Sequence, residues 1–142
     1  VMRTLVDREP RRFPATVDGW RVITLPGVPY PGLAPDPATT AAGDLLPDLT
    51  PDERELLDAF EDPQYDLVLV HCDTATGTST AWAYGLTAPV PPAPAWDREV
   101  FGRDHLDRYV AACTRWRHRH EQRRSAPVPD DGSRPRAQAA TT

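Results

Sequence analysis

Thr50-Pro51-Asp52-Glu53 constrains this chain more than any other stretch, because it fixes where one helix must begin. Thr50 suits the N-cap and Pro51 the first helical position, while Glu53 can reach back to complete a capping box. The early acids also suit the positive end of the helix dipole. Leu56, Leu57 and Phe60 then fall at helical spacing and form a face for core packing. A strand-like run, Tyr65-Asp66-Leu67-Val68-Leu69-Val70, follows within a few residues. The helix must end near Phe60, and Glu61 is left at the junction.

A carboxylate at a helix C-terminus meets the negative end of the dipole. Partial burial beside Phe60 and Tyr65 disfavours its charge further, so the sequence predicts a raised pKa for Glu61. A glutamate tuned in this way can carry protons near neutral pH. The alternative is a solvated acid on a helix that also carries Asp52, Glu53, Glu55 and Asp58.

The remaining elements follow from periodicity and breakers. Val1, Met2, Leu5 and Val6 form a helical stripe that Pro10 ends. Asp18-Gly19 reads as a turn and Trp20 to Leu25 as a short strand. Five prolines between Pro26 and Pro37 imply a loop or an irregular edge strand, and positions 43–49 can form another short strand. Tyr65 to His71 and Thr80 to Leu86 read as two strands linked through Gly77. Four prolines between Thr87 and Ala95 make a stiff linker. From Trp96 to Arg124 the pattern predicts one long helix, with Leu106, Tyr109, Val110, Cys113 and Trp116 on one side. Residues 125–142 lack periodicity and are expected to be a disordered tail. The 142 residues then hold one domain over 1–124. The implied class is α+β: a small curved antiparallel sheet or barrel with packed helices.

Composition narrows the function classes. A net charge of −5 gives no general attraction to nucleic acid or anionic membrane. Arg115 to His120, with Arg123 and Arg124, form a basic helix end; we read them as solvated cations complementing the dipole rather than a nucleic-acid surface. No apolar run approaches the ~20 residues of a membrane span, and no signal peptide is recognisable. Cys72 and Cys113 lack metal-type spacing and read as reduced thiols, which suits a cytoplasmic setting. His71, His105, His118 and His120 offer no metal set, so no metal is assigned. There is no nucleophile elbow, phosphate loop or dinucleotide fingerprint. All 16 basic residues are Arg, and together with the Ala, Pro and Gly content this points to a GC-rich, bacterial coding sequence. Trp82 and Tyr84 share a strand face and could line a pocket.

Four stretches, in order, carry a resemblance. They are Val28-Pro29-Tyr30-Pro31-Gly32-Leu33, the run from Gly43 to Glu53, Leu57-Asp58-Ala59-Phe60-Glu61 with Tyr65, and Ala81-Trp82-Ala83-Tyr84 ahead of the Trp96 segment. Together they resemble the gamma-glutamylcyclotransferase-like family, in its small-barrel, avirulence-induced-protein-like branch. The resemblance implies a mixed or antiparallel β-barrel and cyclisation of a γ-glutamyl amine or peptide to 5-oxoproline with release of the free amine. It implies Glu61 as general acid/base, with Tyr65, Tyr30 and Tyr84 as substrate-binding residues. It also implies a small γ-glutamyl substrate as partner, and no metal or organic cofactor. No feature of the sequence fixes an oligomeric state. Three departures stand out. The family's N-terminal strand and its Tyr-Gly-Ser/Thr loop are not in this chain, which begins where the next helix is expected. Asp62 replaces a glycine after the signature glutamate, and Leu67 stands where a basic residue is common. These departures keep open the alternative of a non-catalytic member that binds a small ligand or a protein.

Overall fold

The computed structural model describes residues 1–86 and 88–126. Helix α1 (Met2–Val6) is followed by β1 (Phe13–Thr24), β2 (Pro31–Leu45), α2 (Pro51–Phe60), β3 (Tyr65–Thr74), β4 (Gly77–Leu86), α3 (Arg98–Asp104) and α4 (Leu106–Ser125). The four strands form one sheet in the order β2-β1-β3-β4, and every pairing is antiparallel. The α+β class expected from the sequence is therefore the one observed.

Two long hairpins build this sheet. Among the described residues, the β1–β3 pairing that joins them is Ala15 with Thr74 and Thr16 with Asp73. Beyond that point β1 and β3 diverge. The sheet nevertheless rolls back on itself. Leu86, on one edge strand, packs so closely over Gly32, on the other, that a Cβ at Gly32 would lie 2.6 Å from Leu86 Cδ1. Ile23, Leu25, Ala34 and Leu86 form the buried cluster between the hairpins. Leu5, Val6, Leu57 and Cys113 form a second core, where the helices meet.

Several local expectations are corrected. Asp18-Gly19 is not a turn: β1 runs through it, with a register shift between Asp18 and Trp20 and Gly19 at φ 80°. The bulge kinks the strand instead of ending it, so the strand is twelve residues long and not the six from Trp20 to Leu25. The proline-rich stretch is mostly strand. Pro31, Pro35 and Pro37 lie in β2, which pairs on one side only, so the missing N–H groups cost no ladder bond on the outer edge. The short strand expected over 43–49 is the end of β2, which stops at Leu45. The segment from Trp96 to Arg124 is two helices, broken at His105 (φ −129°, ψ −24°), and Asp97 caps the first through the N–H groups of Glu99 and Val100. Ser125 closes α4; the rest of the expected tail, 127–142, lies outside the described residues.

The capping box on α2 is present in both directions. Glu53 also takes a bidentate fork from Arg8, at 2.6 and 2.7 Å, which ties the segment after α1 to the start of α2. The Arg8 bonds, helped by the Thr50 N–H, push the Glu53 carboxyl down to about 2. A depressed carboxyl contributes stability above its unfolded value of 4.5 and loses it as pH falls toward 2. Glu53→Gln should therefore destabilise most at neutral pH, and the gap to wild type should narrow by about pH 2.5. Urea midpoints at the two pH values check this; a gap independent of pH contradicts it.

The basic helix end serves the fold. Arg117 donates to the carbonyls of Leu5 (2.7 Å) and Thr4 (3.4 Å) at the end of α1 and pairs with Glu121. Trp116 packs edge-on against Phe60 and stacks on His120. No described helix is long and apolar enough to cross a membrane.

Candidate active site

Glu61 is the C-cap of α2. Its N–H donates to the Leu57 carbonyl at 3.1 Å, and its backbone then turns extended (φ −69°, ψ 148°). Asp62 and Pro63 carry the chain directly into β3, so the carboxyl is held at a sharp helix-to-strand junction. It lines a cavity of about 400 Å³ in the gap where the hairpins diverge. The first hairpin contributes Val22, Pro31, Gly32 and Leu33, with Tyr30 from the loop between its strands; the second contributes Tyr65 and Tyr84. Trp96, Phe101 and Tyr109 close the remaining side from the helical segment. A second hollow, of about 270 Å³, shares Glu61, Tyr65 and Tyr84 and is rimmed by Asp58, Asp62 and Asp66.

The helix break at His105 shapes this wall. In an unbroken helix Phe101 and Tyr109 would be separated by ~12 Å along the axis. Here their rings meet edge to face at 5.7 Å, and both line the cavity. Three consecutive residues, Pro29 and Tyr30 of the β1–β2 loop and Pro31 at the start of β2, are pinned. Trp96 Nε1 donates to the Pro29 carbonyl at 2.9 Å, Tyr30 Oη to Asp62 at 2.5 Å, and Tyr65 Oη to the Pro31 carbonyl at 3.0 Å. Tyr84 Oη donates to Asp58.

Burial, followed by the neighbouring carboxylates of Asp62 and Asp58, pushes the Glu61 carboxyl up to about 7. Tyr30 is pushed up to about 12, first by its bond to Asp62 and then by burial. Burial leads the upward shifts of Tyr65, Tyr84 and Tyr109. These phenols are neutral near neutral pH, where Glu61 sits poised to gain or lose a proton.

All four residues singled out from sequence, Glu61, Tyr65, Tyr30 and Tyr84, line this one cavity. The three tyrosine hydroxyls are engaged with Pro31, Asp62 and Asp58 and not with Glu61 itself. Trp82 does not join them: it lies in the middle of β4 and is 62% exposed. Sequence reading missed Phe101 and Tyr109 as cavity residues, although Tyr109 stood in the apolar stripe. Among the described residues, no group of three His, Cys, Asp or Glu side chains is placed to hold a metal. Cys72 and Cys113 are both buried and free.

Residues 1–117 match the family described as "Gamma-glutamyl cyclotransferase, AIG2-like". The chain is 36% identical over 66 residues to AIG2-like protein C of Arabidopsis thaliana, covering 46% of this chain and 38% of that protein. It is 36% identical over 70 residues to AIG2-like protein A of the same plant, covering 49% and 42%. The matches thus span less than half the length of these curated relatives. Two solution structures of Arabidopsis thaliana proteins superpose with a TM-score of 0.61 each. The first is 24% identical, covering 89% of this chain and 85% of the other; the second is 17% identical, covering 99% and 87%. At those identities the structural likeness speaks for the fold. The family match reaches from α1 through most of α4 and contains every wall of the cavity, so the chain belongs to the gamma-glutamyl cyclotransferase, AIG2-like family.

Proposed function

We propose that this protein cyclises a γ-glutamyl amine or γ-glutamyl peptide to 5-oxoproline and releases the free amine, with Glu61 as the proton carrier. The observation that carries this reading is the placement of the Glu61 carboxyl in the wall of an aromatic-lined cavity, where burial and the neighbouring Asp62 and Asp58 push it up to about 7.

The chemistry asks little of the protein beyond positioning and proton transfer. The substrate's α-amine attacks its own γ-carbonyl carbon, forming the new C–N bond of a five-membered ring. Glu61 takes a proton from the attacking nitrogen and returns one to the departing nitrogen as the original amide C–N bond breaks. No water is consumed and no net proton is lost. Both reacting groups belong to one molecule, so the cavity's contribution is to fold the glutamyl group into a near-attack shape. Tyr30, Tyr65 and Tyr84 supply walls for that folding, held in place by the bonds their hydroxyls make to the protein.

The test is release of 5-oxoproline from a panel of γ-glutamyl amines by the full-length protein. Release that depends on an intact Glu61 supports the reading. No release from any of the panel contradicts it.

A further inference from the structure

Glu61 is flanked by two carboxylates, and each is held by a tyrosine hydroxyl. Asp58, one turn back on α2, accepts from Tyr84. Asp62, the next residue along, accepts from Tyr30 Oη at 2.5 Å. The second bond links two separate parts of the fold. Tyr30 lies in the loop between β1 and β2, and its ring packs on Tyr109 of α4 at 5.6 Å. Asp62 lies in the turn between α2 and β3. The bond therefore fastens one wall of the cavity to the helix end that presents Glu61. It also fixes a negative charge beside a group that has to hold a proton.

We propose that Asp62, clamped by Tyr30, is a positioning residue that sets the proton affinity of Glu61 and anchors the adjoining cavity wall. This inference deepens the proposed function and rests on it for its catalytic meaning. Other ionisable groups around Glu61 do not offer the same device. Asp58 lies on the same helix and is held from β4, so its bond does not reach the β1–β2 loop. Tyr65 and Asp66 on β3, Tyr84 on β4 and Tyr109 on α4 line the two hollows. Val1, ahead of α1, lines the larger one. Of these, the phenols are neutral. The Asp62 charge is the leading charged influence on Glu61, ahead of Asp58.

Two substitutions separate the charge from the clamp. Asp62→Asn keeps the size and an oxygen for Tyr30 while removing the charge. Tyr30→Phe keeps the ring on Tyr109 and removes the hydroxyl. In both, the acidic limb of kcat/KM for 5-oxoproline release should move down, by about one pH unit for Asp62→Asn and by less for Tyr30→Phe. Asp62→Glu, which restores the charge, should bring the limb back up. The same order should appear in a carbon-13 titration of the Glu61 carboxyl, which needs no substrate. If the Glu61 midpoint is the same in wild type and Asp62→Asn, the inference is overturned even where the enzyme is active. If the midpoint moves but no γ-glutamyl amine is cyclised, the positioning holds and the proposed activity fails instead.

Discussion

Replacing Glu61 with Gln should lower 5-oxoproline release by about 10²–10⁴-fold, the range lost when a general acid/base is removed. Gln fills the same space and still hydrogen-bonds, but it cannot take the proton from the attacking amine. The fold should tolerate the change. Glu61 has a folded pKa raised above its unfolded value of 4.5, so its stabilising contribution is full below 4.5 and is lost as pH rises through about 7. A neutral Gln resembles the protonated form that the cavity favours. Glu61→Gln should therefore be at least as stable as wild type in mildly alkaline buffer. Activity lost without stability lost assigns the effect to proton transfer. A Glu61→Gln protein that releases 5-oxoproline at the wild-type rate removes Glu61 from the mechanism, and an inactive wild type favours a binding role for the cavity.

Ile23→Ala should destabilise the protein by about 2–5 kcal/mol, the cost of emptying a core position that cannot collapse. Ile23 is fully buried, and it packs with Leu25, Ala34 and Leu86 where the two hairpins meet. Its backbone also bridges Ala95, which leads into the helical wall of the cavity. Against a total stability of about 5–15 kcal/mol, such a loss should lower the thermal midpoint by about 10 °C or more. Leu69, 57% exposed on β3, is the control: Leu69→Ala should change stability by only about 0.5 kcal/mol. Equal effects of the two substitutions in thermal melts contradict this placement of the core.

What could be read from the sequence was what local chemistry decides. The start of α2 was legible because Thr50, Pro51 and Glu53 satisfy the helix end by themselves. The β3–β4 hairpin was legible from two β-rich runs around Gly77, although its turn is tighter than expected, with Thr74 paired directly to Gly77. Glu61 was legible because it stands between those two signals. The rest depends on partners distant in the chain. Asp18-Gly19 looks like a turn until β2 pairs on both sides of it and turns it into a bulge. The prolines of β2 look like loop until the strand proves to be an edge. The break at His105 carries no proline or glycine of its own, and only the meeting of Phe101 with Tyr109 and Trp96 shows what it achieves. Tyr30 and Asp62, 32 positions apart, had no local reason to be paired.

The proposed proton transfer requires Glu61 to hold a proton near neutral pH inside the aromatic cavity. A carbon-13 titration of its carboxyl in the wild-type protein, assigned by comparison with Glu61→Gln, measures this without any assumption about substrate. The expected midpoint is about 7. A midpoint in the ordinary glutamate range of about 4.3 would mean that the carboxyl is charged and solvated at neutrality, and the proposed proton transfer would lose its basis.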